Sequence, residues 1–285
     1  VCERPIGTEK AGERSTVRIT LALEAGRPRV DITYEFAWRE EHTLVRALFP
    51  TRVRSRTATF ETQAGHIERP THRSSPIEAA RFEVPMQRWM DLSEPGLGVA
   101  VLNDCKFGGS AHDHTLGVSL LRSPTHPDPT ADRGSHTCTL SVMVHEGDWR
   151  TAGVIAEAAL LNQPLTAVPI EPGQAGEVDP DGEPMTAWAP IELVYPEEPD
   201  HAARLEVLAL KPADDASGDL ILRLAETHGG GGECAVCWGI DAPKVIETDG
   251  LERSLDTEQH IVDHDDNVTM LRVAPFEIVT LRALR

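Results

Sequence analysis

Apolar and polar residues alternate with period two along much of this chain, in short runs broken by turn residues. Residues 16–23 (TVRITLAL) and 30–36 (VDITYEF) show the rhythm most clearly. Successive side chains of a strand point to opposite faces, so each run predicts a half-buried strand with one apolar and one wet face. Residues 43–48, 52–60, 98–102, 116–121 and 137–144 read the same way. Gly26-Arg27-Pro28, Pro95-Gly96 and Gly108-Gly109 supply turn chemistry between them. One stretch is helical in pattern: residues 151–162 are rich in Ala and Leu, with Pro164 placed to end the helix. From Pro169 to Pro190 the chain is acidic and dense in Gly and Pro, which predicts a mobile linker. Strand rhythm resumes over 205–210, 220–224, 234–240, 269–273 and 278–284.

These elements predict an all-β protein of two units, a larger one over residues 1–195 and a smaller one over 196–285, each of two packed antiparallel sheets. No βαβ alternation is present, which argues against a Rossmann fold or an α/β barrel. The 285 residues are enough for two such units.

Composition narrows the partners. Lys and Arg total 27 against 46 Asp and Glu, a net charge of −19. Such a surface repels phosphate backbones and anionic lipid, so nucleic-acid and membrane binding are not expected. No apolar run approaches the roughly 20 residues that span a bilayer. Five cysteines, at 2, 105, 138, 234 and 237, suit reduced thiols and a cytoplasmic setting better than a secreted disulfide framework. The chain opens Val-Cys-Glu-Arg-Pro, without Met or a signal pattern, and reads as a cut inside a longer protein.

Candidate chemistry is sparse. Cys234 and Cys237 form a lone CxxC with no second ligand pair, and residues three apart on a strand face opposite ways, so packed thiols are expected. His112-Asp113-His114 offers a chelating spacing, but after Gly108-Gly109-Ser110 it reads as a solvated hairpin loop. His264, in Asp263-His264-Asp265-Asp266, is expected in an acidic turn. His228 to Glu233 holds four glycines but no Lys or Ser/Thr of a phosphate loop, and reads as a flexible hairpin tip.

The most distinctive segment is residues 98–108 (GVAVLNDCKFG), an apolar strand that delivers Asn103, Asp104 and Lys106 to its end. Lysine occurs only at 10, 106, 211 and 244. The segment fits either a ligand-facing polar cluster or an Asx turn with an ion pair. Residues 120–134 repeat the design: a strand runs into a proline-stiffened loop bearing Arg122, Asp128 and Asp132. Arg122 can fork onto hydroxyls or a carboxylate.

At these residues the sequence resembles the C-terminal β-rich region of α-mannosidases of glycoside hydrolase family 38. Residues 38–50 (WREEHTLVRALFP), 82–93 (FEVPMQRWMDLS) and 98–108 carry the likeness most specifically. Residues 65–72, 120–129, 132–136, 158–165, 208–212, 220–226 and 275–281 continue it in order. The resemblance implies a large sandwich of the galactose-mutarotase type, then a smaller β-sandwich, with one short helix. It implies a full-length retaining exo-α-mannosidase that cleaves terminal α-mannosides. Its nucleophilic aspartate, acid/base carboxylate and zinc would belong to an N-terminal catalytic domain with no counterpart here. That catalytic domain is then the expected partner, with a mannose-containing oligosaccharide, and a homo-oligomer is possible. Asn103, Asp104, Lys106, Arg122, Asp128 and Asp132 would face the sugar pocket or the domain interface, and no residue here would be catalytic or bind metal. Phe107 stands where that family is expected to carry Tyr. Two other readings are a free-standing carbohydrate-binding module and a mutarotase-like enzyme. The second needs His72, His136 and Asp104 to converge on one concave sheet face. An exposed apolar patch is expected where a missing domain would dock.

Overall fold

A computed structural model describes residues 1–10, 13–166, 189–195 and 203–285. The linker expected over 169–190 lies almost wholly outside the described residues. The larger unit holds twelve strands: β1 (Cys2–Lys10), β2 (Glu13–Leu23), β3 (Arg29–Trp38), β4 (Val45–Pro50), β5 (Thr57–Thr62), β6 (Gly65–Pro70), β7 (Val84–Pro85), β8 (Trp89–Glu94), β9 (Leu97–Asn103), β10 (Gly108–His112), β11 (Thr115–Leu121) and β12 (Gly134–His145). Helix α1 (Pro76–Ala80) follows β6, and helix α2 (Val154–Asn162) follows β12. The smaller unit holds β13 (Ile191–Val194), β14 (Leu205–Pro212), β15 (Leu220–Glu226), β16 (Gly232–Trp238), β17 (Lys244–Thr248), β18 (Ile261–Asp265), β19 (Val268–Val273) and β20 (Ile278–Leu284).

In the larger unit an eight-stranded sheet, ordered β1-β2-β3-β12-β9-β8-β5-β6, packs on a four-stranded sheet, β4-β11-β10-β7. Phe36, Phe60, Met90, Val101 and Leu140 of the first meet Leu116 and Val118 of the second in one core. The opposite face of the large sheet is covered too. There Trp89, Ala100, Leu102 and Met143 pack against Trp149 and against Val154, Ile155 and Ala158 of α2. Strand β9 therefore has Val99 and Val101 in one core and Ala100 and Leu102 in the other. That is why residues 98–102 form an unbroken apolar run. Arg29 ties the helix to the sheet: its guanidinium donates to the Glu157 carboxylate at 2.9 Å and to the Glu157 carbonyl at 2.5 Å.

The eight-stranded sheet is wider than the sheet that covers it. Residues paired across a ladder share a face, and Leu23 pairs with Val30, which pairs with Val142 beside the core. Leu21, Leu23, Val30 and Val144 thus continue the core-facing surface outward, with Leu21 64% and Leu23 76% exposed.

The smaller unit is a sandwich of two four-stranded sheets, β13-β16-β19-β18 and β14-β15-β20-β17. Leu222, Leu224, Val279 and Leu281 face Cys234, Val236, Leu271 and Val273 across it.

Three expectations are corrected. The compact units are Val1–Leu165 and Thr166–Arg285, and β13 pairs with β16. Residues 191–194, placed by the 195/196 boundary in the larger unit, therefore form a strand of the smaller one. His264 is in β18, where Thr269 Oγ1 bonds its Nδ1 at 2.9 Å and its Nε2 donates to the Ala242 carbonyl at 3.0 Å. The glycines of 229–232 connect β15 to β16, which belong to different sheets, so they make a crossing and not a hairpin. The Glu226 carboxylate holds that crossing by accepting the amides of His228 and Gly229, each at 2.9 Å.

Candidate functional site

Asn103 ends β9 and is almost fully buried. Its Oδ1 accepts the amides of Cys105 at 3.1 Å and Lys106 at 2.5 Å, and its Nδ2 donates to the Gln87 carbonyl at 2.5 Å. This is an Asx turn, so the side chain shapes the loop and is not available to a ligand. Asp104 reaches across to β12, where its Oδ2 accepts the Thr139 amide at 3.0 Å. Lys106 and Phe107 follow, and Phe107 is 61% exposed.

The loop after β11 is pinned from within. Ser123 sits at φ 53°, in the left-handed region. The Asp132 Oδ2 accepts the amides of Arg122 at 2.9 Å and Ser123 at 2.7 Å. The Ser123 hydroxyl accepts the Trp38 indole N–H at 2.6 Å and donates to the Thr43 carbonyl at 3.1 Å. Asp128 closes its own turn by accepting the Thr130 amide and hydroxyl, both at 2.8 Å. Those two bonds hold the Asp128 carboxyl below the usual range. Burial alone would raise the Asp132 carboxyl, but the Ser123 and Arg122 amides, with His136 and Lys106 nearby, bring it below that range.

The charge of Lys106, on the first loop, is felt by Asp132 on the second, and His136 Nε2 donates to the Asp132 carbonyl at 2.7 Å. The Arg122 guanidinium makes no ion pair among the described residues. The geometry divides the six candidates. Asn103, Asp128 and Asp132 build the loops, Asp104 anchors one of them, and Lys106 and Arg122 offer donors, Lys106 next in sequence to the exposed Phe107 ring. Cys105 and Cys138 lie in the same group. Burial and then Asp104 push the Cys105 thiol up to about 12, and burial pushes Cys138 up to about 11. Neither is a thiolate nucleophile at neutral pH.

A second group lies apart from these loops. A cleft of about 560 Å³ is lined by residues 53–56, Thr71, His72, Ser74, Asp113 and His114. It shares no residue with the six candidates. The alternation of Arg52, Arg54 and Arg56 was the available signal. His112-Asp113-His114 forms the β10–β11 turn as expected, with Asp113 at φ 52°. No aromatic ring of Phe, Tyr or Trp lines the cleft. His72 bonds Ser74 and pairs with Glu78, whereas Asp104 and His136 belong to the loop cluster. The convergence that a mutarotase-like reading requires is therefore not formed.

Among the described residues no three His, Cys, Asp or Glu side chains come together as a metal site, so these residues do not fit a zinc centre. All five cysteines are free thiols. No helix of the described residues is long and apolar enough to cross a membrane. Asp91 is buried between Ser93 and His145, accepting from the Ser93 hydroxyl and from His145 Nε2 at 2.8 Å. The carboxylate lies between the other two groups, so His145 has no hydroxyl to activate and the set is not a nucleophilic triad.

Comparison with known proteins agrees in register with the fold. Residues 5–130 match the glycosyl hydrolases family 38 C-terminal domain, and residues 204–281 match that family's C-terminal beta sandwich domain. Alpha-mannosidase 2C1 of Homo sapiens is 39% identical over 261 residues, covering 92% of this chain and 24% of that protein. Alpha-mannosidase G of Dictyostelium discoideum is 35% identical over 272 residues, covering 94% of this chain and 23% of its own. This chain therefore spans about a quarter of the length of the relatives it matches. An alpha-mannosidase structure from Enterococcus faecalis superposes with a TM-score of 0.71 at 17% identity, over 95% of this chain and 29% of that one, which establishes likeness of fold.

Proposed function

Since this chain belongs to glycoside hydrolase family 38, and matches the C-terminal domains of that family, we propose that it is the non-catalytic β portion of a retaining exo-α-mannosidase. It acts as scaffold and as one wall of the sugar pocket. The observation that carries the reading is the pairing of two C-terminal family domains with relatives four times as long and themselves named α-mannosidases. The nucleophile, the acid/base carboxylate and the zinc then belong to polypeptide outside these residues.

Lys106 and Arg122 are the groups on the two loops with donors to offer sugar hydroxyls. The bonds of Asn103 and Asp132 fix the backbone from which those two side chains extend. Phe107 supplies a flat apolar surface without the hydroxyl of a tyrosine. The stripe of Leu21, Leu23, Val30 and Val144 is the docking face for the rest of the polypeptide, because burial of that surface would stabilise the pair. A cytoplasmic setting is supported by five unpaired thiols. The absence of aromatic rings from the cleft weighs against an independent carbohydrate-binding module, since sugar-binding platforms stack on such rings.

The test compares the 285-residue chain with the whole enzyme on a nitrophenyl α-mannoside. The chain alone should show no turnover with zinc supplied, and the joined protein should hydrolyse the substrate. In the joined protein Lys106→Met and Arg122→Met should raise KM several-fold more than they lower kcat. Zinc-dependent turnover by the chain alone would refute the reading, and unchanged KM in both variants would remove the pocket-wall role.

A further inference from the structure

A small, partly open cavity separate from the loop cluster lies where β6, α1 and β10 meet. It is lined by Arg69, His72, Glu78, Arg81, Ser110 and His112, among others. Its volume is about 20 Å³, room for one water molecule or one monoatomic ion.

Charge in and around this cavity is unbalanced. The Arg69 guanidinium packs 5.0 Å above the Phe60 ring, and its Nη1 is buried without a hydrogen-bond partner. Among the described residues Arg69 makes no ion pair. Arg81 lies close enough to repel it, and burial together with that repulsion lowers its pKa. A guanidinium nitrogen buried without a partner is costly.

The neighbours add donors. Ser110 Oγ accepts from Arg46 Nη2 at 2.5 Å, which leaves its own O–H to donate. His112 Nδ1 accepts from Arg73 Nε at 3.3 Å, which places the ring proton on Nε2. That Nε2 is buried without a hydrogen-bond partner. The carboxylate in the wall, Glu78, turns Oε2 to the Ser75 amide at 2.8 Å and to His72 Nδ1 at 3.5 Å, and among the described residues it makes no ion pair with Arg69 or Arg81.

We propose that this cavity is a binding site for one small inorganic anion of chloride size. A water molecule would bring two donors of its own to a wall already rich in donors, and it would leave the Arg69 charge uncompensated. An anion accepts from Arg69, Ser110 and His112 together and supplies the missing charge. In a chain of net charge −19, long-range attraction does not explain such a site, so its affinity comes from the local cluster.

Chloride is the probe. The 285-residue chain is added to sodium chloride at fixed ionic strength, and the linewidth of the chlorine NMR signal is read. We expect broadening that bromide competes away, that Arg69→Met abolishes and that Arg81→Gln weakens several-fold. Arg81 is exposed, so Arg81→Gln carries the test if Arg69→Met fails to fold. Crystals grown in bromide should show an anomalous peak beside Arg69 Nη1. Broadening equal in the wild type and in whichever variant folds, or a water with no anomalous signal in the cavity, overturns the proposal.

Discussion

The larger and smaller sandwiches hide their sheets by different means. The smaller unit sets two four-stranded sheets face to face, and its strands β16 and β19 keep an alternation of buried and less buried positions. The larger unit covers its central strands twice, by the four-stranded sheet on one side and by α2 with Trp149 on the other. Double coverage removes the alternation at β8 and β9. The buried Asp91–His145 pair sits on those central strands and on β12. In the smaller unit the comparable pair, Glu247 with His260 at 2.6 Å, joins β17 to the segment before β18, and His260 also reaches the more exposed Glu277 at 3.2 Å.

The sharpest test of this contrast is Trp89→Ala. Trp89 is fully buried in the second core of the larger unit and lies 4.8 Å from Trp149, ring centre to ring centre. Its loss should cost about 3–5 kcal/mol. Urea unfolding followed by a probe in each unit should shift only the transition of the larger one. An equal shift in both would show that the two do not unfold as separate units.

A weaker effect follows from pH, with opposite sign in the two regions. Burial alone would lower the His145 pKa, but the bond and the charge of Asp91 raise it above its ordinary 6.5. This contribution to the larger unit is complete below pH 6.5 and is lost as pH rises through the folded value. Burial would raise the Glu247 carboxyl, but the Gln259 amide and His260 bring it below its ordinary 4.5. That contribution to the smaller unit is present above pH 4.5 and is lost as pH falls through the folded value. Unfolding midpoints of each unit across pH should show both slopes, and His145→Asn should flatten the alkaline one. If that slope survives the substitution, another group causes it.

The smallest effect is expected from the exposed pairs. Arg18 with Glu3 in the larger unit and Arg272 with Glu233 in the smaller are both open to solvent. Arg18→Met and Arg272→Met should leave both midpoints where they are, because water and salt screen such pairs. A clear loss in either would mean that surface charge matters more than the layered packing.

What the sequence revealed follows the same division. Strands β2, β3, β12, β15 and β20 were legible because one side of each is wet or paired with a wet neighbour. Strand β8 was not, since Trp89, Met90, Asp91 and Leu92 are all buried and show no period. Strand β10 was read as a turn because of Gly108 and Gly109. A side chain at 109 would stand 2.8 Å from Met86 Sδ, so the glycine serves packing, not turning. Helix α1 was missed although Ser75 and Glu78 spell a capping box, which the structure forms. In the candidate site, the Asx turn at Asn103 could be read from residue type. The approach of Lys106 to Asp132 could not, because it depends on two loops meeting that are far apart in sequence. The Arg69 cavity was hidden for the same reason.

Gly98 lies opposite His145 in the β9–β12 ladder, and a methyl group there would occupy the space of the imidazole ring. Positions 98, 145 and 91 therefore form one heritable block. A lineage that gains a side chain at 98 must first have surrendered the histidine, and with it the counter-charge that lets an aspartate persist at 91. Related sequences should change these three together or leave all three alone.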